Sequence, residues 1–235
     1  MKKITTILAI LFLGSFLMVG SASALSLDFG VIAPSTGLIS YAGGNNPLIA
    51  TNVSVDNVVG LDTSANNVIP LNIINGKLSF TTGALTSAWN WGGGVNTIIT
   101  LTGAVDANND GDLFDAGDLS DRILMSGSFG SASVAYFGNS FYISGGAFND
   151  QKDIDLLNLF EMPIYFPNTT TLLPYVGNFN ISFDAAFTQT GAAFTSTRIN
   201  SGDIVNSPVP EPATMMLLGM GLLGLGAIGR KKLKK

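Results

Sequence analysis

Asn178-Phe179-Asn180-Ile181-Ser182-Phe183-Asp184-Ala185 alternates polar and apolar side chains without a break. Successive side chains of a β-strand point to opposite faces, whereas a helix returns to one face every three to four residues. The stretch therefore predicts a half-buried strand with Phe179, Ile181 and Phe183 on the covered side. Working outward, residues 27–32, 48–55, 68–74, 78–82, 123–129, 133–137 and 141–144 are further strand candidates. Val95, Thr97, Ile99 and Leu101 alternate around a less clean polar set. Turn clusters separate these runs: Gly43-Gly44-Asn45-Asn46-Pro47, Ser64-Ala65-Asn66-Asn67 and Gly92-Gly93-Gly94. Asn75-Gly76, between Ile74 and Leu78, is the dipeptide that type I′ hairpin turns favour. Many short strands with Gly/Asn turns predict a mainly β chain, an antiparallel β-sandwich or jelly roll. Residues 153–160 cluster their apolar side chains as a short helix does, with Asn149 or Asp150 as its N-cap.

Charge is distributed unevenly. The whole chain carries −5 and contains neither cysteine nor histidine. Between residues 25 and 207 only Lys77, Arg122, Lys152 and Arg198 are basic, four against fifteen acidic residues, a balance of −11. So acidic a body excludes a nucleic-acid partner, whose phosphates need a basic surface, and favours divalent cations and neutral partners. Without cysteine there is no disulfide framework, thiolate metal site or thiol nucleophile. Without histidine there is no Ser-His-Asp triad and no histidine-bound zinc. Glycoside hydrolysis needs two carboxylates across a cleft, but the aspartates here cluster with a different spacing. A Ser-Lys arrangement would need Lys77 or Lys152, and nothing in the sequence marks one. The chain is expected not to be an enzyme.

The aspartate cluster is DANNDGDLFDAGDLSD, residues 106–121. Asp106, Asn108 and Asp110 fall at positions 1, 3 and 5 of a calcium loop and Gly111 at position 6, where the bend is sharp. Asp112 follows at position 7, the place of a backbone carbonyl ligand. The pattern departs at position 12, which is Gly117, so Asp115 or Asp118 must complete the shell. The spacing resembles the D-x-N-x-D-G loops of calcium-binding extracellular repeats and dockerin-like modules. The flanks read as strand, not as the helices of an EF-hand. A Ca²⁺ ion is the expected ligand, because the like charges repel one another until a cation neutralises them. The alternative is a solvated acidic turn.

Trp89 and Trp91 flank Asn90. On a strand, residues two apart share a face, so two indoles there offer a stacking platform for sugar rings. Packing is the commoner use of large aromatics and is the preferred reading.

The ends of the chain concern address. Residues 1–24 carry Lys2 and Lys3, an apolar run over 7–19 and Ala22-Ser23-Ala24, the three parts of a secretory signal peptide. The apolar run is shorter than the ~20 residues of a spanning helix. Export with cleavage after Ala24 is expected. At the other end, residues 213–229 hold no charge and would span roughly 25 Å as a helix at ~1.5 Å per residue. Arg230, Lys231, Lys232, Lys234 and Lys235 follow and are expected to stay on the cytoplasmic side. Pro208, Pro210 and Pro212 keep the stretch before this expected transmembrane helix extended, which suits a membrane-embedded peptidase.

Pro210-Glu211-Pro212, the Gly-rich apolar segment and the terminal basic cluster together resemble the PEP-CTERM sorting signal, over residues 209–235. The resemblance implies recognition by an exosortase, a membrane-bound cysteine transpeptidase-like enzyme. It also implies a Gram-negative-type envelope and a bacterium that makes exopolysaccharide. The expected organisation is signal peptide (1–24), exported β-rich domain (25–207), Pro-rich linker (208–212), transmembrane segment (213–229) and basic tail (230–235). The precursor is expected in the inner membrane, and the processed protein at the cell surface or secreted. Two roles are consistent with this: a calcium-stabilised structural or adhesive protein of the extracellular matrix, or a carbohydrate-binding module for exopolysaccharide using Trp89 and Trp91 or exposed tyrosines such as Tyr136 and Tyr142. A hydrolase with aspartates in a cleft is the weaker third.

Overall fold

A computed structural model describes residues 25–209, apart from 95, 138–139, 167 and 188. The expected signal peptide (1–24), Pro210, Glu211, Pro212, the expected transmembrane segment (213–229) and Arg230, Lys231, Lys232, Lys234 and Lys235 lie outside the described residues, as does Val95. Among the described residues no helix is long and apolar enough to cross a membrane.

The described strands are β1 (Ser26–Val31), β2 (Leu38–Tyr41), β3 (Leu48–Ser54), β4 (Asn57–Leu61), β5 (Pro70–Thr81), β6 (Leu85–Ser87), β7 (Asn90–Gly92), β8 (Ile98–Asp106), β9 (Leu119–Phe137), β10 (Ser140–Lys152), β11 (Tyr175–Ala186) and β12 (Phe194–Pro208). One helix, α1 (Ile154–Leu159), follows β10. The quoted octapeptide lies in β11, where Phe179, Ile181 and Phe183 are buried and Asn178 and Asn180 exposed.

The chain is mainly β and antiparallel, but it does not form the two separate sheets of a sandwich or jelly roll. The ladder closes on itself. β1 and β2 run one after the other along β12, from Leu27 opposite Asn206 to Tyr41 opposite Phe194. β3 and β4 run in the same way along β5. From there β5 pairs with β8, β8 with β9, β9 with β10, β10 with β11 and β11 with β12. The circuit is an up-and-down antiparallel barrel, which removes the exposed edges that a sandwich leaves. The β6–β7 hairpin interrupts the β5–β8 connection and adds to the far part of β9.

Two turn expectations are corrected. Asn75-Gly76 does not turn the chain: β5 runs straight through it, with a register shift against β8 between Ile74 and Lys77. Asn75 takes the positive φ of 56° inside this bulge, and a Cβ at Gly76 would lie 2.1 Å from the Val55 carbonyl oxygen. An extra residue at a bulge bends a strand and tightens its twist, which closure demands. The helix is capped by Asp153, not by Asn149 or Asp150: its Oδ1 accepts the backbone N–H of Asp155 at 3.0 Å and of Leu156 at 3.1 Å. Asn149 and Asp150 belong to β10.

The inward side chains form a continuous apolar core. Phe80, Phe129, Phe148 and Phe179 pack ring to ring toward one end, and Trp89, Phe141, Phe183, Phe194 and Tyr41 toward the other. Each fully buried phenylalanine contributes about 1.5–3 kcal/mol. Leu156, Leu157 and Phe160 from α1 and its C-terminus join the same core. Because neighbouring strands alternate in direction, Leu61, Asp106, Lys152 and Pro208, each ending its strand, stand at one end of the barrel with α1. The acidic loop and the exit of the chain therefore share that end.

Candidate functional site

Asp106 ends β8 and is fully buried. Its carboxylate turns into its own loop: Oδ1 accepts the N–H of Asn109 at 2.6 Å and Oδ2 that of Gly111 at 2.9 Å. Gly111 has φ +95°, a conformation that side chains rarely adopt. Short polar side chains then fold onto the backbone two residues ahead, from Asn108 to Asp110, Asp110 to Asp112 and Asp112 to Phe114. Asp118 closes the loop, accepting the N–H of Ala107 at 2.9 Å and of Asp115 at 2.8 Å.

The expected ligand set is thereby divided. Asp110, Asp112 and Asp115 bring a carboxylate oxygen each within 4.8 Å of one another on the exposed side. Asp112 offers its side chain there and not only a carbonyl. Asn108 bridges the group, its Nδ2 donating to Asp110 at 3.1 Å and to Asp115 at 2.8 Å. Asp106 and Asp118 are committed to backbone amides and shape the loop. The backbone N–H of Asp112 holds the Asp110 carboxyl below the ordinary carboxylate value. Asn108 favours the charged form of Asp115, but the hydrogen bond shared with Asp110 and the charges of Asp110 and Asp112 outweigh it and hold Asp115 above that value. Three carboxylates so placed repel one another, and a divalent cation bound by oxygen would relieve that repulsion.

Asn109 was not singled out by spacing, yet it fixes the loop to the barrel. Its Oδ1 accepts the N–H of Asn72 at 2.8 Å and its Nδ2 donates to the carbonyl of Pro70 at 2.9 Å, both on β5. Its φ of 60° is one that asparagine tolerates. The only signal was a second asparagine beside Asn108.

The aromatic platform is corrected. Trp89 and Trp91 are 2% and 1% exposed. The pairing of Trp91 with Ala132 lays the β6–β7 hairpin along β9 and turns both indoles into the barrel. Trp89 packs on Phe141 and Phe187, and its Nε1 donates to the carbonyl of Ala192 at 3.1 Å. Trp91 meets the edge of Tyr41 and donates to the carbonyl of Asn46 at 3.0 Å. Neither ring can stack on a sugar. Tyr136 and Tyr142 do reach the surface. Tyr136 packs on the buried Phe141 at 5.3 Å, however, and Tyr142 stands on the opposite face of β10. An open groove of about 780 Å³ crosses the outer wall between Asn96, Ser126, Ser128, Asn149 and Gln151, with no aromatic ring in its lining.

β12 runs to Pro208, so the expected linker begins inside the last strand. The N–H of Val209 still donates to the carbonyl of Pro174 at 3.0 Å. From this point residues 208–232 match the family model of the PEP-CTERM protein-sorting motif. The chain carries a PEP-CTERM sorting signal. A PEP-CTERM signal implies an exported protein whose membrane-anchored precursor is processed by an exosortase. The PEP-CTERM match starts at the final residue of the barrel, with no spacer between the fold and its address. No curated protein and no solved structure matches the chain.

Proposed function

We propose that the barrel is a non-catalytic structural or adhesive protein of the cell surface or extracellular matrix, stabilised by calcium and delivered by the PEP-CTERM route. The observation that carries this reading is the joint placement at one barrel end of the sorting signal's first residue and the Asp110-Asp112-Asp115 carboxylates. Calcium there would brace the end of the fold from which the anchor leaves. Residues 230–235 and the transmembrane segment hold the precursor in the inner membrane until the exosortase acts. The second reading, a module that binds exopolysaccharide, is weaker because the two indoles are buried and the exposed tyrosines occupy different faces.

Fractionation of cells and matrix, paired with a glycan-binding screen of the purified protein with and without calcium, tests the choice. The structural reading expects the protein in the surface or matrix fraction, partial release by a chelator, and no saturable binding of free glycan. Tight, calcium-independent binding of one glycan would replace it with the carbohydrate-binding reading.

A further inference from the structure

Three polar side chains stand together inside the barrel at the end where the chain exits. The side chains of Asp150 and Lys152, two apart on the inward face of β10, are wholly buried. Lys152 Nζ donates to one carboxylate oxygen of Asp150 and, at 2.9 Å, to Oδ1 of Asn206 on β12. Asn206 is also fully buried. The rings of Tyr175 and Phe29 lie 5.3 and 5.9 Å from the lysine nitrogen. The other Asp150 oxygen, Oδ1, is buried without a hydrogen-bond partner. β11 runs between β10 and β12, and at the crossing it presents Gly177, opposite both Phe148 and Asn206. A Cβ there would lie 2.5 Å from Asn206 Oδ1 and closer still to the Phe148 ring, so glycine opens the passage from lysine to asparagine.

As a stabilising device this group is poorly chosen. Desolvating an ion pair commonly costs as much as the attraction returns, and apolar side chains of the same volume serve a core as well or better. An unpartnered buried carboxylate oxygen adds to the cost. The arrangement is better suited to chemistry: an amine, an amide carbon and a carboxyl group held in contact with water excluded.

We infer that Lys152 and Asn206 join in an intramolecular isopeptide bond, with Asp150 as the proton carrier, stapling β10 to β12. The carbon bonded to Asn206 Oδ1 is no more than about 4.1 Å from Nζ, given a C=O length of about 1.23 Å. That is close to the separation of about 3–3.5 Å of reacting atoms in near-attack geometry. Burial pushes the Lys152 ammonium well down toward its neutral, nucleophilic form. Its proton passes to Asp150. The Nζ lone pair then attacks Cγ of Asn206, the Nζ–Cγ bond forms and the Cγ–Nδ2 bond breaks. Asp150 gives its proton to the leaving nitrogen and takes one from Nζ, and the leaving group departs as ammonia. The products are one secondary amide and one ammonia, with no oxidant, reductant or second molecule consumed.

The placement gives the bond a use. Asn206 lies two residues before the end of β12, where tension from a membrane or surface attachment would enter the fold. A covalent link from there to β10 bypasses the hydrogen bonds that would otherwise unzip one after another. The chain has no cysteine with which to make a disulfide at the same point.

The test is intact-mass measurement and tryptic mapping of the purified, fully denatured protein. The expected mass is one ammonia below that of the recovered sequence. Trypsin should fail to cut after Lys152, and the fragment containing it should be joined to the fragment that begins at Ile199. Lys152→Arg, Asn206→Ala and Asp150→Ala should each restore the full mass and separate fragments. A wild-type chain of full mass with normal cleavage after Lys152 overturns the proposal, whatever the variants do. So does an ammonia loss found on an unlinked peptide, which would indicate a succinimide at Asn206. A bond that persists in folded Asp150→Ala overturns the role given to Asp150.

Discussion

The carboxylate of Asp106 and the backbone N–H of Gly111 are joined at 2.9 Å across the sharpest bend of the acidic loop. The other Asp106 oxygen holds Asn109. Asp106 thus shapes the loop through its own hydrogen bonds. Asp106→Ala leaves two backbone donors at a buried position without their charged acceptor and should cost about 1.5–3 kcal/mol. Urea denaturation in the presence of chelator measures this. A loss of less than half a kcal/mol would show that the loop holds its shape by other means.

Asp110 stands on the exposed side of the same loop, and its removal should behave in the opposite way. Extracellular calcium sites commonly have dissociation constants of ~10⁻⁴ to 10⁻³ M. At ten times that constant, binding stabilises the fold by RT ln 11, about 1.4 kcal/mol. The wild type should therefore melt at a higher temperature in millimolar calcium, reversibly with chelator. Asp110→Ala should lose this shift while melting normally without calcium, and Asp62→Asn, in a separate turn, should retain it. Magnesium should substitute poorly because it demands a tighter octahedral shell. Absence of any calcium-dependent heat or thermal shift in the wild type would reduce the loop to a solvated turn.

Alternation of side chains made the strands legible wherever one face was apolar, as in β11, but could not show whether the first and last strands meet. Closure depends on β12, whose sequence hides it. Register shifts against β11 near Phe183 and Ala185 insert extra residues, so the buried positions run Phe194, Ser196, Ile199, Gly202, Ile204 and Asn206. Bulges break the period of two on which the reading rests, and two of these inward residues are polar. The short strands β2 and β4 were missed for a related reason: each continues a neighbouring strand after an irregularity. The acidic loop was legible because its chemistry is local in sequence. The Lys152–Asn206 contact was not, since 54 residues separate the partners.

Trp89 should register in stability and not in ligand affinity. Its ring is buried against Phe141, Phe187 and Phe194. Trp89→Ala should cost about 3–5 kcal/mol, as large aromatic truncations in cores do. Tyr142→Phe, on the outer wall, should change stability by no more than about 0.5 kcal/mol. Chemical denaturation of the two variants makes the comparison. Near-wild-type stability of the tryptophan variant would contradict its burial.

Asp28 should contribute more to stability in acid than at neutral pH. Burial, and then the charge of Asp203, raise its carboxyl above the ordinary value, and its Oδ1 is buried without a partner. Between the ordinary aspartate value and the raised one, the folded state holds more protons than the unfolded state. Stability contributed by this group therefore falls as pH rises through that window and stays low above it. Asp28→Asn should raise the melting temperature at pH 7, and the gain should shrink to nothing as the pH falls below about 3.9. A variant that melts lower than the wild type at neutral pH would reverse the sign and refute the assignment.

The sorting signal should fail in two separable ways. Pro210, Glu211 and Pro212 follow in sequence directly after Val209, whose N–H is still bonded to the carbonyl of Pro174. Replacing all three with alanine should leave the precursor in the inner membrane and abolish processing. Neutralising Arg230, Lys231, Lys232, Lys234 and Lys235 should instead weaken retention of the precursor. Each basic residue near an anionic surface contributes ~1 kcal/mol, and the inside-positive flank that sets orientation is lost with them. Intact-mass measurement of envelope and secreted fractions separates the outcomes. The tripeptide variant should appear as full-length tail in the membrane, and the neutralised variant should be depleted from the membrane. The wild type should appear outside the cell without its Gly-rich segment. Recovery of wild-type protein outside the cell with residues 213–235 intact would mean that the signal is not cut, and that the barrel reaches the surface by another route.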